Sequence, residues 1–201
     1  MGYKIITVDR EFESAGNEIA QAVSERLGLP YYDRFLITAS ADESGVSVDD
    51  ALARDEKLES RFEYSQAQAA YYYTSSESPL PTGARVAEAQ FELIRKIAQE
   101  GASLIVGRCA GHILRERTDV MRVFIHAGRD NRIRRAMTSL HVSEREAVRI
   151  LKQTDKMRKA YHKNYTGMEW NDPNQYHMIL NSDLISANTC VEMICALYNS
   201  P

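Results

Sequence analysis

Apolar positions along the chain fall into short unbroken runs separated by longer stretches of helical period. The run Tyr3-Lys4-Ile5-Ile6-Thr7-Val8 predicts a strand over 3–8. Ile19, Ala20, Val23 and Leu27 recur at helical spacing and predict a helix over 17–28. Leu29-Pro30-Tyr31-Tyr32 reads as a short second strand, 33–40 as a helix, and 48–62 as an acidic helix after the Ser44-Gly45 break. Residues 63–79, rich in Tyr, Ser and Ala, have weak periodicity and are expected to be the most mobile segment. Val86, Ala89, Leu93, Ile94 and Ile97 share one face of a predicted helix over 85–100, which Gly101 stops. Strands are predicted at 103–106, 120–126 and 178–180, with helices at 129–139, 143–161 and 188–198. Ser143 and Glu146 have the Ser-x-x-Glu form of a capping box at the start of the second of these helices. Strands alternating with helices predict an α/β fold, a parallel sheet covered on both faces. Ligands of such sheets bind at the carboxyl ends of strands, which directs attention to Asp9-Arg10, Asp33, Gly107-Arg108 and Ala127-Gly128.

Composition bounds this picture without redirecting it. The 201 residues suit one α/β domain, and 44% hydrophobic with 26% charged residues is ordinary for a globular chain. No apolar run approaches the roughly 18 residues of a membrane span, nor is there a secretory leader, so a cytoplasmic setting is expected. Cys109, Cys190 and Cys195 have neither metal-ligand nor disulfide spacing. The net charge of −3 is unevenly spread. From Arg129 to Lys163 there are 11 Lys/Arg against 4 acids, leaving 14 basic and 24 acidic residues elsewhere. Such a block reads either as the footprint of an anionic partner (nucleotide phosphates, nucleic acid or a membrane surface) or as a solvated helical face.

The candidate chemistry starts at the first turn. Strand, small-residue turn and helix N-terminus, Asp9-Arg10-Glu11-Phe12-Glu13-Ser14-Ala15-Gly16, is the scaffold of a phosphate-binding loop. The full signature needs two glycines, a lysine and a Ser/Thr for the metal. Here there is one glycine, no lysine, and Glu18 near the position of the hydroxyl. Ser14, Ala15, Gly16 and Asn17 still offer main-chain N–H groups to phosphates. Arg10 is the nearest substitute for the missing cation; the alternative is a surface arginine paired with Glu11 or Glu13. Asp33 follows the second strand and reads either as a substrate contact or as a helix N-cap.

Four segments together resemble the cytidylate-kinase-like family of nucleoside monophosphate kinases. They are Val8-Asp9-Arg10-Glu11-Phe12 with Ser14-Ala15-Gly16, Leu29-Pro30-Tyr31-Tyr32-Asp33, Ile105-Val106-Gly107-Arg108-Cys109-Ala110, and Thr154-Asp155-Lys156 through Tyr165-Thr166-Gly167. The resemblance implies a three-layer α/β/α P-loop-kinase-like fold with a five-stranded parallel sheet. It implies one domain over 1–201, with an acceptor-binding insert at about 33–84 and a cationic helical lid at about 129–170. ATP and Mg²⁺ are the cofactors it implies, with Glu18 at the place of the metal ligand. Arg108 would reach the acceptor phosphate, Asp33 would begin the acceptor segment, and Arg132 would stack on the donor adenine. Asp155 and Arg158, at i and i+3, read either as an ion pair aimed at the transferring phosphoryl group or as a routine helix pair. Cys109 stands where the family kinases carry an aspartate, and buried structural cysteine is the expected role. Lys152, Lys156 and Lys159 supply field. Tyr161 through Trp170 mixes aromatic and basic residues without an RNA-binding signature, so a lid-to-core connection is expected and nucleic acid is not. Two functions follow: an ATP-dependent kinase of a nucleotide or small-molecule acceptor, or a non-catalytic nucleotide or phosphometabolite binder on a kinase fold.

Overall fold

The computed structural model describes residues 2–33, 35–45, 47–49, 51 and 82–200. Five parallel strands form one sheet in the order β2-β3-β1-β4-β5: β1 Ile5–Arg10, β2 Tyr31–Tyr32, β3 Ser103–Val106, β4 Val120–His126 and β5 Met178–Asn181. The central strand β1 pairs with β3 from Ile5↔Ser103 to Val8↔Val106 and with β4 from Ile5↔Val120 to Arg10↔Ile125. Strands covered on both faces need no polar face, which is why β1 and β3 are almost uninterrupted apolar runs.

Alternate residues of β1 feed two cores. Ile6 and Val8 pack with Ile19, Ala20 and Val23 of α1 (Gly16–Leu27) and with Cys190, Val191 and Ile194 of α7 (Ala187–Tyr198). Ile5, on the other face, packs with Leu36 of α2 (Phe35–Ser44), Leu93 and Ile94 of α3 (Thr82–Glu100), and Ala110 of the short α4 (Ala110–Ile113). Helices α5 (Arg129–Leu140) and α6 (Glu144–Thr166) make a separate small core from Ile133, Ala136, Ala147 and Leu151, against which Phe12 packs. Glu146 N–H donates to Ser143 Oγ at 3.4 Å, as a capping box requires.

The expected strands at 103–106 and 120–126 have those bounds, and the other elements shift by a few residues. Helix α6 runs five residues beyond its expected end. Tyr161 and His162 are buried there, and Gly167 closes the helix in the left-handed conformation, its N–H donating to Lys163 O. The four-residue α4 and a 3₁₀ turn at Pro173–Gln175 are too short to leave a period in the sequence. The expected helix at 48–62 and the weakly periodic 63–79 segment lie outside the described residues, apart from 48, 49 and 51. Among the described residues no helix is long and apolar enough to cross a membrane.

Candidate active site

Chain order reverses at β1: the chain visits β2 and β3 on one side of it, then β4 and β5 on the other. The crevice beyond the carboxyl ends of β1 and β3 is therefore the place for a ligand. The loop after β1 is shaped by two left-handed residues, Glu13 (φ 58°) and Ala15 (φ 60°). Ser14 pins it, its hydroxyl lying 2.8 Å from Glu11 O and 3.1 Å from Ile125 O. Ser182 Oγ, after β5, donates to Ser14 O at 2.7 Å. Gly16 is required by close approach, since a Cβ there would lie 2.5 Å from Arg10 Cβ. Ala15 provides no side-chain cap, and the first main-chain bond of α1 runs from Ile19 N–H to Ala15 O. The N–H groups of Gly16, Asn17 and Glu18 thus lie outside the helical ladder, at the positive end of the helix dipole. They open onto a cleft of about 250 Å³ that Arg10 and Arg158 also line. Phosphate fits such a cradle on main-chain grounds alone.

Three of the cations expected here are buried, each with assigned partners. Arg10 is 6% exposed; its Nε–H donates to Asn17 Oδ1 at 2.8 Å and its Nη2 lies 3.8 Å from Asp33 Oδ1. Asn17 Nδ2 donates to Asp33 Oδ2 at 3.0 Å. Arg108, 2% exposed, donates through Nη1 to Asp33 Oδ1 at 3.0 Å and to Val106 O at 2.9 Å. Arg10, Asn17, Asp33 and Arg108 form one network spanning the ends of β1, β2 and β3. Asp33 spends its carboxylate there and not on a helix cap, and Arg10 turns to Asn17 and Asp33 rather than to Glu11 or Glu13. The Tyr31 hydroxyl beside this network is pushed up to about 12 by burial and by the Asp33 charge, so it stays protonated. Gly107, Arg108 and Cys109 are left-handed in succession (φ 73°, 53° and 58°), a strained turn that the buried Arg108 contacts hold. Cys109 is buried against Ala87 and Tyr161, as expected of a structural cysteine.

Helices α5 and α6 clamp the loop through its main chain. Arg132, 7% exposed, donates from Nη1 to Phe12 O at 3.0 Å and to Asp155 Oδ2 at 2.6 Å, and its Nε lies 3.4 Å from Glu11 Oε2. Asp155 Oδ1 accepts Phe12 N–H at 2.9 Å. Arg132 is held against the loop and also lines a groove between α5 and α6. One expectation changes here. Asp155 spends its carboxylate on Arg132 and Phe12, not on an outward pair with Arg158. Arg158 instead donates from Nη1 to Arg10 O at 3.0 Å, with its guanidinium 6.0 Å from the Phe12 ring centroid, and lines the cleft.

The two carboxylates nearest the cradle are engaged by α5. Ser139 Oγ donates to Glu13 Oε1 at 2.9 Å, Arg135 Nε lies 3.8 Å from Glu13 Oε2, and Arg135 Nη2 pairs with Glu18 Oε1 at 2.5 Å. This draws negative charge outward, away from where phosphate would sit. No group of three or more His, Cys, Asp or Glu able to hold a metal occurs among the described residues. A magnesium ion asks little more of a protein than one or two carboxylates beside the nucleotide's own phosphates; Glu18 lines the cleft and would have to leave Arg135 to serve as one. Trp170 and Tyr161 are buried, Trp170 edge-on to Phe124, so this aromatic stretch ties the end of α6 to β4.

The sequence reading missed the parts played by Asn17's side chain, Glu11 and Ser182. A polar side chain in the first turn of a helix is unremarkable in sequence, and Ser182 meets Ser14 only because β5 lies beside β4. The Asp9–Tyr176 contact was equally hidden: Tyr176 O–H lies 3.1 Å from Asp9 Oδ2 and 2.6 Å from Trp170 O, and burial with the Asp9 charge pushes its pKa far up.

The structure is similar to that of an uncharacterized protein from Eubacterium ventriosum, with 26% identity over 98% of this chain and 99% of that one, at a TM-score of 0.71. Shikimate kinase from Bacteroides thetaiotaomicron shares 13% identity over 98% of each chain (TM-score 0.55). That from Acinetobacter baumannii, solved in complex with shikimate, shares 9% over 97% of this chain and 92% of that one (TM-score 0.52). At those identities the two kinases show the P-loop-kinase fold alone. No curated protein matches the sequence. Residues 5–184 match the cytidylate kinase-like family, and with the strand order and the loop geometry above, the chain belongs to that family.

Proposed function

We propose that the chain is an ATP-dependent phosphotransferase of the nucleoside monophosphate (cytidylate-like) kinase type, acting on a nucleotide or small-molecule acceptor. The observation that carries this reading is the convergence of the α1 N-terminus with Arg10 and Arg158 on one cleft, and of Asp33 with Arg108 beside it. Donor phosphates would lie on the N–H groups of Gly16, Asn17 and Glu18, with Ser14 and Ala15 holding the loop's shape. Magnesium, carried on the nucleotide and met by Glu18, would neutralise phosphate charge. Transfer would be in line and without a covalent intermediate, so positioning and cationic stabilisation are what the protein must supply. Arg10 and Arg158 stand in for the absent lysine. Asp33 and Arg108 orient the acceptor, and Asp155 acts through the loop backbone that it holds.

A second reading rests on a specific observation: Arg10 and Arg108 already share the Asp33 carboxylate. A protein that binds nucleotide or phosphometabolite and transfers nothing has no need of a mobile cation at the phosphate. ATP consumption across a panel of monophosphates, nucleosides and small hydroxylated acceptors separates the two. The kinase reading expects turnover with at least one acceptor and its loss in Arg158→Ala. Nucleotide binding by calorimetry without turnover leaves the binder, and no binding of ATP or GTP with Mg²⁺ overturns the kinase and leaves only a phosphometabolite binder.

A further inference from the structure

On the face of β1 opposite the cradle, a second cleft of about 180 Å³ opens between α4, β4, the end of α6 and the 3₁₀ turn. It shares no lining residue with the phosphate cleft. Its floor is Arg122, whose aliphatic chain is roofed by Gly111; a Cβ at Gly111 would meet Arg122 Cδ at 3.2 Å and Thr7 Oγ1 at 3.1 Å. Arg122 Nε–H donates to Gln175 O at 2.8 Å, and no ion pair to a carboxylate engages its guanidinium among the described residues. Arg115 stands at the rim, half exposed, its Nε 3.3 Å from Glu116 Oε1; the Asp9 carboxylate, which accepts from Tyr176, also lines the cleft.

One wall is His162, which is 4% exposed. Its Nδ1 lies 3.2 Å from Met168 O, a bond that needs the proton on Nδ1. Thr166 Oγ1, 3.1 Å from the same atom, donates its own proton to His162 O. With Nδ1 donating to Met168 O, Nε2 has no protein partner among the described residues. His162 lines the cleft, so this nitrogen is available to a ligand there.

We propose that this cleft binds a small hydroxylated anion, its carboxylate or phosphate on the Arg122 and Arg115 guanidiniums and its hydroxyl donating to His162 Nε2. Planar guanidinium suits either oxyanion. At a liquid-water share of ~30 Å³, the space matches roughly six waters' worth of ligand, the scale of a small anion. The site touches the same two elements as the cradle. Arg158 and His162 are one turn apart on α6, and Asp9 and Arg10 are consecutive in β1, so an occupant braces the helix that reaches the phosphate cleft.

The test is titration of the full chain followed through its five histidine side chains by NMR, His162 being assigned by the signal lost in His162→Gln. The probes are lactate and glycerol 1-phosphate, with propionate and propyl phosphate as counterparts lacking the hydroxyl. The His162 ring signals should shift saturably with one hydroxylated probe, and its counterpart should bind about tenfold more weakly. Response to lactate alone assigns a carboxylate ligand; response to glycerol 1-phosphate alone assigns a phosphate. Arg122→Gln should weaken binding about tenfold or more, and the exposed Arg115→Gln, which poses no threat to folding, about threefold. The proposal is overturned if no probe shifts His162 saturably up to about 20 mM. It is equally overturned by equal affinity with and without the hydroxyl, or by affinity unchanged in both arginine variants.

Discussion

Two sets of cations lie in this molecule, and by sequence they look alike. Arg10, Arg108 and Arg132 sit at strand ends or the start of a helix, are nearly fully buried, and each holds a named carboxylate or carbonyl. Lys152, Lys156 and Lys159, with Arg129, line an open groove between α5 and α6, whose inner end Arg132 and Asp155 reach, and form no ion pair among the described residues. The first set is structure that also shapes a site, since a buried guanidinium must be paired. The second set contributes field and little else. Charge in the sequence therefore marks where an anion is attracted, while burial marks which cations hold the cradle's geometry.

The sharpest way to break this comparison is Arg132→Ala. It strips the partner from Asp155 and from Phe12 O, and should cost ~3–5 kcal/mol as the uncompensated carboxylate remains. Urea unfolding followed by the buried, sole tryptophan, Trp170, measures it; a loss within that of an ordinary surface substitution would show the clamp to be ornamental. Gly16→Ala comes next. Its Cβ would press into Arg10, costing ~1–3 kcal/mol and tilting the first-turn N–H groups, so calorimetry should find ATP binding lost or greatly weakened. Replacing Lys152, Lys156 and Lys159 together by alanine should change stability by no more than ~0.5 kcal/mol per site. Nucleotide binding should weaken a few-fold at low salt and converge with the parent protein at high salt. A salt-independent loss would move these lysines into the first set.

The smallest expected effect is with pH. His177 Nδ1 accepts Arg122 N–H at 3.0 Å, linking the start of β5 to β4, and burial with the nearby Arg122 charge holds its pKa below 6.5. The folded chain then binds fewer protons than the unfolded chain, so this contribution is complete above pH 6.5 and is lost as pH falls below it. Thermal unfolding between pH 7 and 5 should show a decline that His177→Asn flattens.

Much of the fold was legible in the sequence because its cause is local. Largely apolar runs at 103–106 and 120–126, the second broken by Arg122, leave a strand covered on both faces as the economical solution, and the 85–100 stripe fixes a helix. The site was legible only as a set of positions. Arg10, Asp33 and Arg108 were marked because each follows a strand, yet their joining through Asn17 depends on β2, β3 and β1 lying side by side. Arg132 and Asp155 were marked as well, but their joint hold on the Phe12 backbone was not. What the sequence determined by itself is the alternation of elements, the strand-end positions and the lysine-free turn, all set by periodicity and residue type along the chain. The tertiary structure decided which charges meet. Pairing distances across 16 to 148 residues follow from strand order and helix packing, and no local pattern encodes them.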